Sequence, residues 1–172
     1  MTNSPPTASD SYRTPTQDPL RPIPDDLYRD VLRTMPVPCV DLLIQHSGRI
    51  LMVQRRNEPA RGEWWFPGGR IHKGERLLQT AHRQAREEVG ARGLCGALVH
   101  VEETLFETGR FGEPVHTVNL CYAFDALSKE VTLDADHTEY MWCLPAQLLG
   151  DRNLHPYLHR CLVNAGFRAA AA

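Results

Sequence analysis

The segment Trp64–Gly90, WWFPGGRIHKGERLLQTAHRQAREEVG, constrains this chain more than any other. A Pro-Gly-Gly turn leads into a helix predicted from about Glu75 to Val89, with Leu78, Ala81, Ala85 and Val89 as its apolar stripe and Gly90 as its stop. Gln84, Glu87 and Glu88 stand at i, i+3 and i+4, so they share one side of the helix. At about 100° per residue, Glu88 falls beside the apolar stripe while Glu87 lies further toward solvent. A half-buried carboxylate needs a partner. Arg83, one turn before Glu87, can pair with that acid, and a solvated Glu–Arg face is the plain alternative to a binding site. Gly68 and Gly69 shift the balance, because they let the backbone approach a ligand and aim a carbonyl at it. A carbonyl with adjacent carboxylates makes a hard oxygen site suited to Mg²⁺ or Mn²⁺ rather than zinc. Arg70 follows at once, and Arg55, Arg56 and Arg61 precede the turn, so a diphosphate could be neutralised locally.

Local basicity matters because the chain as a whole has none. Its formal net charge is -2 over 172 residues, which gives no general attraction to nucleic acid or to an anionic membrane. No apolar run approaches the roughly 20 residues that span a bilayer, and the first residues lack both a charged start and an apolar core. These features predict a cytoplasmic protein. The five cysteines, Cys39, Cys95, Cys121, Cys143 and Cys161, form no Cys-x-x-Cys pair and read as reduced thiols of the interior.

Six prolines among the first 24 residues predict a disordered or draped arm over 1–23. An ordered domain is expected over 24–168 and a frayed tail over 169–172. The domain opens on a helix at Pro24-Asp25-Asp26 that Pro36 ends. Two strands joined at His46-Ser47-Gly48 follow, then strands near Leu98–Phe106, His116–Phe124 and Tyr140–Cys143, and a last helix near His155–Asn164. Strands mixed with helices on both sides give an α/β fold in layers.

Gly69, five residues, Glu75, seven residues, Arg83, and then Gln84-Ala85-Arg86-Glu87-Glu88-Val89-Gly90-Ala91 resembles the Nudix box. Gln84 departs from it, standing where that pattern has glutamate. The resemblance implies an α/β/α sandwich with a mixed β-sheet, a divalent cation on the box helix and a substrate built on a nucleoside diphosphate. It assigns Glu75 and Arg83 to holding loop and helix together. Over TMPVPCVDLLI, QRRNEPARGEWWFPGGRI, DHTEYMW and LLGDRNLHPY, the chain is similar to the GDP-mannose mannosyl hydrolases, a branch that also lacks the glutamate at position 84. That similarity implies a Mg²⁺-dependent hydrolase of nucleoside-diphosphate sugars, in which water attacks the anomeric carbon and the whole diphosphate leaves. It places Gly68 (through its carbonyl), Glu88 and Asp136 at the metal, with Glu87 adding to the acidic set. His137 becomes the general base on a loop that swings over the site, Arg55 and Arg70 clamp the diphosphate, and Asp41 lies in the substrate pocket. The branch commonly has glutamine at position 136 and usually lacks the acid at 87, so this site is more negative. It is also dimeric, which implies a homodimer.

Imidazole suits the base, because it titrates unperturbed at about 6.5. Trp64 and Trp65 offer aromatic faces for a base or sugar, but strand alternation turns only one inward; Trp65 is the candidate for the pocket and core packing the alternative. Trp142 reads as core, and His155 with His159 as a solvent-facing pair. Two rival functions remain. One is a pyrophosphohydrolase attacking phosphorus of a nucleotide sugar, dinucleotide or nucleoside triphosphate, which Glu87 favours. The other is a non-catalytic nucleotide-sugar sensor.

Overall fold

The structure, a computed structural model, describes residues 23–169. The expected arm over 1–23 and tail over 169–172 lie outside these residues except for Ile23 and Ala169. The chain forms α1 (Asp25–Thr34), β1 (Val37–His46), β2 (Arg49–Arg55), β3 (Trp64–Trp65), β4 (Gly68–Arg70), α2 (Leu77–Val89), β5 (Gly93–Phe106), β6 (Val115–Ala126), β7 (His137–Cys143), α3 (Pro145–Gly150) and α4 (Pro156–Asn164). The seven strands make one mixed sheet, with β1 parallel to β6 and every other pairing antiparallel.

Side-chain alternation along β1 divides the core in two. Val40, Leu42 and Ile44 face Ala81, Ala85 and Val89 of α2. Leu43, with Ile50 and Met52 of β2, faces Tyr157, Leu158, Cys161 and Leu162 of α4. The sheet is therefore sandwiched between α2 and the α3–α4 pair, the α/β/α arrangement expected. Ser47 and Gly48 both take positive φ, 48° and 75°, which closes the β1–β2 hairpin with the twist two strands require. β2 pairs with β1 only at that closed end, through Gln45–Ile50 and His46–Arg49. Beyond it β2 pairs with β3 while β1 pairs with β4, so the two strands part. The site lies where they diverge.

The sequence expectations shift in four places. Leu78 is 49% exposed; its neighbour Leu77 takes the core-facing place, because α2 begins at Leu77 rather than near Glu75. β5 starts five residues before the expected Leu98, since its register slips between Cys95 and Leu98 and again before His100, which erases the alternation a sequence reader looks for. β7 starts at His137 rather than Tyr140, because pairing with β2 runs through a bulge to Arg55–His137. His155 is not solvent-facing: its ring lies 4.8 Å from that of Trp65, and its Nδ1 accepts the Tyr157 N–H that opens α4. His159 is exposed, as expected, and Trp142 packs partly buried against the α2-side core.

Gly90, at φ 67°, ends α2 as a left-handed cap, and the Ala91 N–H reaches back to the Ala85 carbonyl. At the other end, Glu75 and Arg83 tie the lead-in loop to the helix. Arg83 donates to Glu75 through Nε at 2.6 Å and Nη2 at 2.9 Å, and to the Arg70 carbonyl at 3.0 Å. Thr80 Oγ1 and the His72 N–H also donate to Glu75. Burial would raise the Glu75 carboxyl, but the bonds from Arg83, His72 and Thr80 outweigh it and hold it at about 2. Its stabilising effect is therefore present above the ordinary value of 4.5 and is lost as pH falls through about 2. Arg83→Ala leaves a mostly buried carboxylate without its cation, so we expect a loss of about 3 kcal/mol. The melting temperature should fall by roughly 10 °C, and the acid-sensitive step between pH 4.5 and 2 should shrink in a stability-versus-pH series, with Glu102, also held at about 2, supplying part of what remains.

Candidate active site

A cavity of about 710 Å³ opens where β1 and β2 part. Asp41, Arg55, Trp65, Gly68, Arg70, Glu87, Glu88, Asp136 and His137 all line it. The nine residues singled out in the sequence therefore share one space, although they come from five strands, a helix and a loop.

β4 can lie against β1 here only because residue 68 has no side chain: a Cβ would meet the Val40 carbonyl and come within 2.7 Å of the Asp41 Cα. Gly69 is less constrained, since a Cβ there would sit 2.6 Å from the amide nitrogen of Gln84, the end of a side chain that can shift. The Gly68 N–H donates to Glu88 Oε2 at 2.8 Å. Glu88, with 13% of its side chain exposed, points into the cavity. Burial raises its carboxyl to about 8; the Gly68 bond and Arg55 oppose this, while Asp134 and Asp41 reinforce it. Among the described residues no Lys or Arg forms an ion pair with it. Glu87 behaves differently: it is half exposed and engaged by Arg83 at 3.4 Å and Arg86 at 3.3 Å. Gln84, a neutral amide, is 6% exposed.

His137 opens β7 rather than riding a mobile loop, which corrects the expectation of a swinging base. It is 6% exposed. Its Nδ1 lies 2.8 Å from Asp134 Oδ1, and its Nε2 lies 3.9 Å from Glu88 Oε2. Asp134 is itself anchored, its N–H donating to the Glu88 carbonyl, while its Oδ1 also accepts the Asp136 N–H. The end of α2 thus fixes the loop that carries both His137 and its carboxylate. Asp136 sits at the rim, exposed, and accepts a bond from Asn57 at 2.7 Å.

Among the arginines, Arg55 donates from Nε to the Pro59 carbonyl at 2.7 Å. Arg70 holds its guanidinium 4.2 Å over the Tyr28 ring. Arg56 turns toward the His137 carbonyl, and Arg61 pairs with Glu58 in solvent. Asp41 is almost fully buried, and its Oδ2 accepts from Asn119 Nδ2 and from the Tyr157 hydroxyl, each at 2.7 Å. Burial raises the Asp41 carboxyl, while Tyr157, Asn119 and Arg55 oppose that. Trp65 is 3% exposed and stacks on Tyr157 at 5.9 Å, so it is chiefly core with an edge on the cavity.

The donor chemistry fits a hard divalent cation. Glu88 is a buried carboxylate with no Lys or Arg partner among the described residues, its nearest polar neighbours are the Gly68 N–H and His137 Nε2, and the carboxylates of Glu87, Asp134 and Asp136 line the same cavity. Glu87 and Asp136 stand at the rim, so among the described residues no three acids or histidines converge into a ready-made cluster. Asp134, Asn119 and Tyr157 were not singled out as site residues in the sequence, although Tyr157 closes the LLGDRNLHPY stretch and Thr117 and Asn119 stand two apart, on one face of β6.

Residues 35–162 match the NUDIX domain. The chain belongs to the Nudix family. Its sequence is 36% identical over 154 residues, 87% of this chain and 95% of the relative, to the low-salt glycan biosynthesis protein Agl8 of Haloferax volcanii. It is 26% identical over 114 residues, 66% of this chain and 65% of the relative, to an ADP-ribose pyrophosphatase of Methanocaldococcus jannaschii. Among solved structures, the MutT Nudix hydrolase of Burkholderia pseudomallei matches with a TM-score of 0.64 at 26% identity, covering 76% of this chain and 98% of that one. The chain is thus a Nudix hydrolase in fold and family. None of its described helices is long and apolar enough to cross a membrane.

Proposed function

We propose that this Nudix hydrolase cleaves nucleoside-diphosphate sugars with Mg²⁺, water attacking the anomeric carbon and the intact diphosphate leaving. One observation carries the reading: the box helix sends a single buried carboxylate, Glu88, into the cavity, while the imidazole backed by its own carboxylate stands on β7. Position 84 is a buried amide and cannot take a proton from water, and Glu87 is half exposed beside Arg83 and Arg86. This favours a base from outside the box.

Glu88, with Gly68, Glu87 and Asp136, would hold the cation, whose charge stabilises phosphate oxygens. Arg55 and Arg70 bring fixed positive charge to the same cavity, where it offsets the negative charge that builds on the departing diphosphate. His137 Nε2 accepts a proton from the attacking water as the C–O bond to the diphosphate breaks. Asp134 holds Nδ1 and steadies the imidazolium that results. The free sugar leaves with inverted configuration. The relative named for glycan biosynthesis agrees with a sugar-bearing substrate.

Glu87 supports a second reading, attack at phosphorus, because it also lines the cavity and its two arginine contacts are long. Chromatography of both products from a panel of nucleotide sugars separates the two. Free sugar and nucleoside diphosphate are expected; sugar phosphate and nucleoside monophosphate would instead establish attack at phosphorus. In ¹⁸O-water the label should enter the sugar and not the phosphate.

A further inference from the structure

Helix α1 buries none of its side chains, and Leu27 and Met35 are more than half exposed. Tyr28, Val31 and Leu32 are only partly buried, so apolar packing alone anchors it weakly. Its contacts are charged and aromatic. Arg33 donates to Glu113 from Nε at 2.8 Å, Asp25 meets Arg110 at 3.0 Å, and Arg29 lies 4.8 Å over the Phe111 ring. These hold α1 against the turn between β5 and β6. α1 sends Tyr28 and Leu32 inward, both lining the cavity, and Tyr28 is half-buried there. One face of its ring carries the Arg70 guanidinium at 4.2 Å, and Phe111 meets the same ring edge-on at 6.0 Å.

Arg70 has no carboxylate partner among the described residues. An arginine on a flexible stem loses much rotamer freedom when it binds a phosphate, unless something already fixes it. The Arg70 charge lies over the ring and close to the Tyr28 hydroxyl, and no carboxylate among the described residues takes its N–H donors, which form paired bonds to phosphate oxygens. On the reading of Arg70 as a phosphate clamp given above, we propose that Tyr28 is its positioning residue, which makes α1 part of the leaving-group site. The ring holds the guanidinium in the cavity before substrate arrives, and the β5–β6 turn holds the ring.

The test is calorimetric binding of GDP and of inorganic pyrophosphate to the Mg²⁺-loaded full chain. Tyr28→Leu should weaken both by about 5-fold, the scale of a partly desolvated cation–π contact. Tyr28→Phe keeps the ring face and should restore binding to within about 2-fold. In an Arg70→Ala background, Tyr28→Leu should cost nothing more, because the residue it acts through is gone. Wild-type affinity in Tyr28→Leu, or an equal loss with and without Arg70, overturns the proposal. A loss for GDP alone also overturns it, since the ring would then be serving the base directly. If the wild type binds neither ligand, or Arg70→Ala binds as the wild type does, the clamp itself fails and the proposal falls with it. Weakening by Arg70→Ala with no effect of Tyr28→Leu overturns the role of Tyr28 alone.

Discussion

Glu88→Gln is expected to lower Mg²⁺ affinity by about 10²-fold or more and to lower turnover with it. Outer groups that merely orient a ligand are worth about 10–100-fold in metal affinity, and Glu88 is assigned as a ligand itself. Its surroundings make the prediction sharper than a simple loss. The carboxyl is raised by burial to about 8, so at neutral pH the metal-free protein holds it protonated. A cation must then displace that proton, and Mg²⁺ affinity should climb by about tenfold per pH unit up to about pH 8. Metal-free stability moves the opposite way. A carboxyl raised above its ordinary value stabilises the fold fully below 4.5, and that contribution is lost as pH rises through about 8. The Glu88→Gln protein, whose amide does not titrate, should lose both dependences. Glu87→Gln is the matched control, being half exposed and tied to two arginines, and its effect on affinity should be much smaller. Calorimetric titration of Mg²⁺ across pH 6–9 reads the affinities, and thermal unfolding of the metal-free proteins over pH 4–9 reads the stability. A Glu88→Gln protein that binds Mg²⁺ like the wild type would remove Glu88 from the metal.

What the sequence revealed and what it hid divide along the distance between interacting residues. Ala81, Ala85 and Val89 recur with the helix period, and Gly90 is needed for a positive φ, so both α2 and its end are local facts. The two residues of the β1–β2 turn are local in the same sense. Leu78 misled because the two leucines at 77 and 78 are adjacent, and only the exact first turn decides which faces inward. The early part of β5 was hidden by register slips that the β6 partner imposes. Within the cavity, the helix period placed Glu88 inward and Glu87 outward, and the structure has them so. The Asp41 network was beyond reach. Its two donors, Asn119 and Tyr157, lie 78 and 116 residues away along the chain, and no spacing rule connects them. Asp134 was closer to view, three residues before His137. It was missed because a short acid-rich loop reads as solvated surface until the end of α2 is seen to hold it in place.

His137→Gln should cut turnover by about 10²–10⁴-fold while Mg²⁺ affinity stays near that of the wild type. The two readouts must separate, because the imidazole does not belong to the assigned metal set and lies 3.9 Å from Glu88. Glutamine has similar reach and keeps a polar group against Asp134, so the loop held by the α2 end should stay in place. What disappears is the ability to take a proton. Asp134→Asn probes the same step from behind: it leaves the ring in place but removes the carboxylate that steadies the imidazolium, so kcat should fall with KM little changed. If His137→Gln turned over like the wild type, the base would have to be an acid of the cavity rim. Glu87 would then be the candidate, and attack at phosphorus would become the better reading. Carrying out the ¹⁸O experiment on this variant is therefore decisive: residual turnover that still labels the sugar keeps carbon attack with a slower base, whereas label in the phosphate shows a second route through the box helix.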